Sequence, residues 1–537
     1  MLALLPRLQR SRVRLAMHAL APHAGRMLAA AFLLASGAAL AQAPAQLVFK
    51  QHCAVCHGEN RLGGMGPALL PENLSRLRKP EAARVIRESR PGVQMPAFKP
   101  LLKDEEIAAL VELIYTPLSP APAWGEAEVR ASRIVHFDAA ALPARPQFTA
   151  DPMNLFVVVE AGDHHATILD GDRLEPMHRF ATRFALHGGP KFSPDGRFVY
   201  FASRDGWISK FDLWNLKTVA EVRAGLNTRN AAVSSDGKYV LVANYLPHTL
   251  TLLDADLQLL KIYDVRDKEG KRSSRVSAVY DAGPRRSFVA ALKDVPEVWE
   301  ISYNPKAEDI ATGVIHDFRY REGAFVPGFL NPRRSVLADV LDDFFFTPDF
   351  SELMGTSRDG KLAQVVHLDV RRAIASVELP GMPHLGSGVT WERRGRRVMA
   401  TPNLREGLVS VIDVGSWKPV AQVKTLGAGF FLRSHENSRH VWVDSMIGPK
   451  GKDTLQVIDK DSLEVVASLA PVPGKTLAHI EFDRYGKYAL ASLWEDDGAL
   501  IVFDAATLKE VKRIPMRKPV GKYNVWNKVT RSEGTSR

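Results

Sequence analysis

The sequence predicts a small all-α domain followed by an all-β, eight-bladed propeller. Three observations carry that expectation. Cys53-Ala54-Val55-Cys56-His57 holds the only two cysteines of the 537 residues. Lys103 to Tyr115 (KDEEIAALVELIY) has acids at its start and apolar residues at helical spacing. From Met153 onwards the chain repeats one unit of short alternating strands and tight turns.

Two cysteines three apart, followed at once by histidine, are the requirement for covalent attachment of haem c. The thiols add to the haem vinyl groups, and the adjacent imidazole of His57 ligates the iron. A redox disulfide or half of a zinc site is the alternative, but zinc wants a second Cys or His pair. Met95, in a Met-Pro loop (QMPAF, 94–98), is the candidate second axial ligand, because a thioether raises the iron potential and suits an electron carrier. Packing in that loop is its alternative reading. Gly66-Pro67 marks the expected turn of the chain along the haem edge. The cytochrome c domain then spans residues 46–117, closed by the 103–115 helix.

Residues 28–40 (LAAAFLLASGAAL) form an apolar run behind Arg26, closed by Ala39-Leu40-Ala41. This is an expected signal peptide over 1–41, too short to span a bilayer, with Met17 or Met27 as alternative starts. It holds five arginines and no acids, so its removal takes the net charge from +11 to +6. A mildly basic chain of this kind is not expected to bind nucleic acid or to insert stably in a membrane. Haem c is attached on the exported side of the membrane, so the expected location is the periplasm. A proline-rich linker without sustained periodicity follows over 118–150.

The repeat is clearest over 192–213 (FSPDGRFVYFASRDGWISKFDL): a strand, an Asp-Gly turn, an alternating strand, a second Asp-Gly turn, and a strand ending in Asp. Related units begin at Val233, Glu392, His435 and Phe482, with weaker copies near Met153, Tyr280 and Thr347. Residues 153–514 divided among eight units give about 45 residues each, the size of a four-stranded blade. Seven blades is the alternative count, since the copy near 347 is blurred. The propeller domain is expected over 151–530.

Residues 185–197 (ALHGGPKFSPDGR), 203–206 (SRDG) and 211–214 (FDLW) resemble the segment of the cytochrome cd1 family that carries its proximal histidine to haem d1. The tail 519–525 (PVGKYNV) also resembles the end of those proteins. The resemblance implies a haem d1-type propeller with His187 as proximal ligand. It places Arg204 and Arg229, and more weakly Arg183, near the haem carboxylates, where guanidinium forks would make charge-assisted bonds. Each has a bland alternative as a surface charge or turn residue.

Nitrite reductases of this family carry two histidines above the iron. One matches His384 (GMPHLGSG, 381–388). The other falls in 338–346 (ADVLDDFFF), where Asp342 stands in its place. Nitrite reduction consumes two protons, so that loss is a serious departure. The long N-terminal arm of many nitrite reductases is also missing. The chain therefore looks like the dihydro-haem d1 dehydrogenase branch, whose implied reaction converts a propionate side chain to an acrylate. In that reading His384 swings in as a second axial ligand and His479 (LAHIEF, 477–482) is the catalytic base, with a structural blade-start histidine as the alternative. His435 reads as structural or pocket-supporting, His164-His165 as a solvated loop pair, and Trp494 and Tyr245 as candidate walls of the macrocycle site.

Three functions stay open at this point. They are oxidation of dihydro-haem d1 with electrons passing to haem c, nitrite reduction to nitric oxide, and non-enzymatic carriage of haem d1. The implied partners are dihydro-haem d1, a cytochrome cd1 nitrite reductase with other d1 maturation proteins, and a small electron-acceptor protein.

Overall fold

The computed structural model describes residues 45–530 apart from 65, 76, 90–94, 314–322, 357–361 and 449. The targeting segment 1–41 and Gln94 of the Met-Pro loop therefore lie outside the described residues.

Helices cover 45–52, Ala54–His57, Pro71–Leu74, Lys79–Glu88 and Asp104–Tyr115. The last begins where the Lys103 amide donates to the Glu106 carboxylate (2.8 Å), with Asp104, Glu105 and Glu106 in its first turn. Those acids face the positive end of the helix dipole. Ile107, Leu110, Val111 and Ile114 form its buried face and pack with Ala82 and Ile86 of the 79–88 helix.

Eight four-stranded antiparallel blades follow, one of them extended by a fifth strand. The repeat found in the sequence has a physical basis at its turns. Ser193 donates to Asp195 (2.5 Å) and accepts from the Phe198 amide (2.8 Å); Ser234 repeats the pattern with Asp236 (2.7 Å) and Tyr239 (3.0 Å). Gly196 (φ +71°) and Gly237 (φ +70°) take the left-handed turn position. Where the third strand closes on Asp, that residue caps the next turn: Asp170, Asp212, Asp413, Asp459 and Asp504 each accept amides two or three residues on.

The core is a ring of apolar layers between neighbouring blades. In the strand Tyr239–Leu246, Val240 and Val242 pack with Tyr200 and Val222 of the preceding blade. Leu241 and Ala243 pack with Phe288 and Ala290 of the following one. Both faces of a blade are thus covered, which explains near-continuous apolar runs such as Leu155–Glu160 and Ser287–Leu292, buried at every position. The ring is closed by the chain's last strand. Pro519–Asn524 pairs with Leu155–Glu160 to complete the first blade, in register Val158↔Lys522.

The 118–150 segment departs from the expected plain linker. Glu126–Ala131 is a short helix with Val129 fully buried, and Ile134–Val135 adds a strand to the edge of the second blade. Elements this short give no readable periodicity. They are held instead by contacts with the propeller, such as Trp124 Nε1 to the Arg223 carbonyl (2.9 Å). The α domain sits against the same region. Ala68, Leu70 and Leu226 make a small apolar cluster, and Asn73 Nδ2 donates to the Leu226 carbonyl (2.9 Å).

Truncating Leu226 leaves a cavity in that interdomain cluster. Leu226→Ala is expected to cost about 2–5 kcal/mol and to split a single calorimetric transition into two as the α domain uncouples.

Candidate functional site

His57 is buried, and its Nδ1 meets the Pro67 carbonyl at 2.8 Å. Committing Nδ1 as donor leaves the lone pair on Nε2, the tautomer an iron ligand needs. Burial holds the imidazole pKa down, so the ring is neutral. Gly66 is required by contact: a Cβ there would lie 2.8 Å from the His57 ring. Cys53 and Cys56 are free thiols, and Cys53 and Met95 border one apolar cluster with Phe98 and Leu102. The residues present therefore fit haem c.

In the propeller, one cavity of about 590 Å³ lies where the blades' inner strands meet. His187, Arg204, Arg229, His384, His479, Tyr245 and Trp494 all line it, so the fold brings together residues as far apart in the chain as His187 and Trp494. Its size suits a cofactor or comparable ligand. Six cations (Lys191, Arg204, Arg229, Lys293, Arg433, Lys528) face three carboxylates (Asp281, Asp342, Asp343), which makes it a site for a polyanion.

His187 follows Leu186, which bridges to Ser203 of the second blade, and precedes two glycines with positive φ. A Cβ on Gly188 would meet Asn230 Oδ1 at 2.6 Å, so the turn is tight enough to exclude a side chain. His187 Nδ1 meets the Arg229 carbonyl at 2.6 Å. His384 repeats this arrangement, with Nδ1 on the Phe430 carbonyl at 2.7 Å and its ring 4.0 Å from that of Phe430. Both contacts select the tautomer with its lone pair on Nε2.

His384 is anchored at the cavity wall in this arrangement. Its ring is held by Phe430 while Asp343 accepts from the Gly386 amide (2.8 Å) and the Tyr280 hydroxyl (2.8 Å), fixing the loop. Asp342, at the position of the absent second histidine, pairs with Lys293.

His479 is only 1 % exposed, yet neither ring nitrogen has a hydrogen-bond partner. It sits at a bulge in the strand Leu477–Phe482 with φ +51°, a left-handed conformation costly for a residue with a Cβ. The Asp444 carboxylate accepts its amide (3.3 Å) and the Lys522 ammonium donates to its carbonyl, so the bulge is clamped from both sides. Phe431 and Tyr523 flank the imidazole, with ring centroids 4.6 and 5.2 Å away. Burial, then Lys522, Arg433 and Lys528, hold its pKa well below the usual histidine range.

Arg183 is a correction. It does not reach the cavity, because its guanidinium makes two bonds to Glu221 (2.8 and 2.7 Å) and lies 3.8 Å over the Trp207 ring. Arg204 and Arg229 do line it, Arg229 stacking 4.4 Å over Tyr245. His435 is fully buried outside the cavity and accepts the Asn437 amide (3.1 Å). His165 pairs with Asp163 (3.3 Å).

Sequence reasoning missed Lys191, Lys293, Arg433, Lys528 and the Phe430-Phe431 pair. Arg433 had a signal. It precedes a turn serine where other blades place Phe192, Val233, Phe346 or Phe482.

Several histidines, the half-buried His384 and the buried His479 among them, have pKa values held below about 6.5, the value in an unfolded chain. Below that pH the unfolded chain takes up protons that the folded one does not, so stability is full above it and falls on acidification. Urea unfolding between pH 7.5 and 5 is expected to show this loss. His479→Phe should make the fall shallower by up to about 1.4 kcal/mol per pH unit.

The cytochrome D1 heme domain model matches residues 150–528, and the model of the cbb3-type cytochrome c oxidase subunit III matches residues 40–114. A dihydro-heme d1 dehydrogenase of Pseudomonas aeruginosa is 53% identical over 510 residues, covering 95% of this chain and 99% of that protein. A nitrite reductase of Stutzerimonas stutzeri is 23% identical over 539 residues, covering 89% of this chain and 92% of that one. A solved structure of dihydro-heme d1 dehydrogenase NirN in complex with DHE superimposes with a TM-score of 0.84, at 53% identity, over 90% of this chain and 100% of that one. With a haem c-type domain ahead of a closed eight-bladed ring, and a cationic cavity at its centre, the chain belongs to the cytochrome d1 haem-domain family, in its dihydro-haem d1 dehydrogenase branch.

Proposed function

We propose that this chain oxidises dihydro-haem d1 to haem d1, turning a propionate side chain into an acrylate. The observation that carries the reading is the strained, unpartnered His479 in a cationic cavity that His187 and His384 also line. The two histidines present imidazoles of the tautomer that ligates iron, so they would hold the substrate's iron from the two axial directions. Arg204 and Arg229 would take peripheral carboxylates.

The reaction breaks two C–H bonds and forms one C=C π bond, releasing two protons and two electrons. His479 takes one proton, from the carbon next to the carboxylate. The other proton leaves to water. Cys53 and Cys56 would hold haem c, which would supply a one-electron outlet, the two electrons of each product passing on to an external one-electron acceptor. The low basicity of His479 suits this task. It is neutral before reaction, and a substrate carboxylate arriving beside it offsets the Lys522, Arg433 and Lys528 charges that hold its pKa down.

Nitrite reduction fits less well, because Asp342 is committed to Lys293 where a second proton donor would be needed. Simple carriage gives no role to a strained imidazole or to a haem c domain. We further read the chain as a periplasmic protein exported through residues 1–41. It would serve denitrification by maturing the cofactor of a cytochrome cd1 nitrite reductase and pass electrons to a small acceptor protein.

Mixing oxidised protein anaerobically with half an equivalent of dihydro-haem d1, so that two haem c groups take the two electrons of each substrate, is expected to produce the haem d1 spectrum while haem c becomes reduced. Binding without conversion would leave a carrier. His479→Phe should still bind the substrate but convert it about 10²–10⁴-fold more slowly. An unchanged rate in that variant would remove His479 as the base.

A further inference from the structure

The cavity has two cationic poles. Arg204 and Arg229 belong to the second and third blades, whereas Arg433 comes from the seventh, across the ring. Arg433 ends the innermost strand of its blade, at a position that is apolar in four others. It is 3 % exposed. Its Nη1 donates to the Leu432 carbonyl (2.7 Å), while Nε is buried with no hydrogen-bond partner.

Leaving a guanidinium half-satisfied in a dry site is unfavourable unless an anion completes it. The acids of the cavity do not serve. Asp343 is taken by Tyr280 and Gly386, Asp342 by Lys293, and Asp281 by the Tyr303 hydroxyl (2.6 Å). Glu481, the negative charge that acts most strongly on Arg433, uses Oε1 to accept from Asn527 (3.0 Å) and from the Phe482 amide (3.2 Å), and its buried Oε2 makes no hydrogen bond to Arg433. Lys528 lines the same corner, 5.5 Å from the Tyr523 ring centroid, and Tyr523 in turn packs on His479.

We propose that Arg433, with Lys528 beside it, binds the carboxylate of the side chain that is oxidised, and thereby decides which edge of the tetrapyrrole faces His479. This rests on the dehydrogenase reading and adds its regiochemistry. Two axial histidines fix the iron but leave the macrocycle free to rotate about it. Arg204 and Arg229 anchor one edge, and Arg433 selects the side chain at the other. A cation on that carboxylate also acidifies the neighbouring C–H bond, the one His479 must break.

The test is a pair of titrations of the haem c-loaded protein, with haem d1 and with its fully methyl-esterified form, in wild type, Arg433→Met and Arg433→Lys. Wild type is expected to prefer the acid. Arg433→Met should shrink that preference about ten- to a hundredfold, and Arg433→Lys should restore part of it. The iron spectrum should not change, because His187 and His384 are untouched. In single turnover, Arg433→Met should slow conversion of the precursor by a larger factor than it weakens binding. An acid-to-ester preference equal to wild type in folded Arg433→Met overturns the proposal; if that variant does not fold, Arg433→Gln carries the same comparison. A wild type that prefers the acid but never converts the precursor would remove the dehydrogenase reading and leave the carboxylate site standing.

Discussion

A blade of this propeller is apolar on both faces, so none is stable until it has a neighbour on each side. Val240 and Leu241 are adjacent in sequence and belong to cores on opposite faces of one strand. The demand passes from blade to blade and is met only when the ring closes. Closure falls to Pro519–Asn524, which returns to pair with the first long strand of the domain. Each buried aliphatic side chain contributes about 1.5–3 kcal/mol, whereas exposed ion pairs such as Arg78–Glu81 contribute little. The layers between blades therefore hold the ring.

Closure also assembles the chemistry. The returning strand brings Lys522 onto the His479 carbonyl and Tyr523 against its ring, and the helix Val525–Thr530 carries Lys528 into the cavity wall. A strained bulge persists only where its surroundings over-determine it, and Asp444 and Lys522 do so here. Stability supplied by the rigid ring is thus spent on one unfavourable residue at the centre.

Electrostatics within the cavity divide by position. Near His384 the carboxylates are engaged: Asp343 ties down the ligand loop and Asp342 neutralises Lys293. Around His479 positive charge is in excess, and it keeps the imidazole neutral. That division separates a region suited to gripping iron from one suited to meeting a carboxylate. It also accounts physically for the departure from nitrite chemistry, which needs proton donors over the iron.

Much was legible in the sequence because the signals were local. The haem c motif is contiguous, Gly66-Pro67 lies where it contacts His57, and the clearest blades carry their own turn serine (Ser193, Ser234), turn glycine (Gly196, Gly237) and closing aspartate (Asp212, Asp254). The segment around His187 likewise carried its signature in adjacent residues. Contacts between distant segments were not legible. Arg183 looked as suitable as Arg204, but a partner 38 residues away, Glu221, takes its guanidinium. Neither the short helix of the 118–150 segment nor the corner of Arg433, Lys528 and Tyr523 shows in any local pattern. By itself the sequence determined the two domains, the repeat and which histidines are candidate iron ligands, since these depend on residues close in the chain. Only the tertiary structure decided which charges stay unpaired in the cavity, because pairing depends on which blades become neighbours when the ring closes.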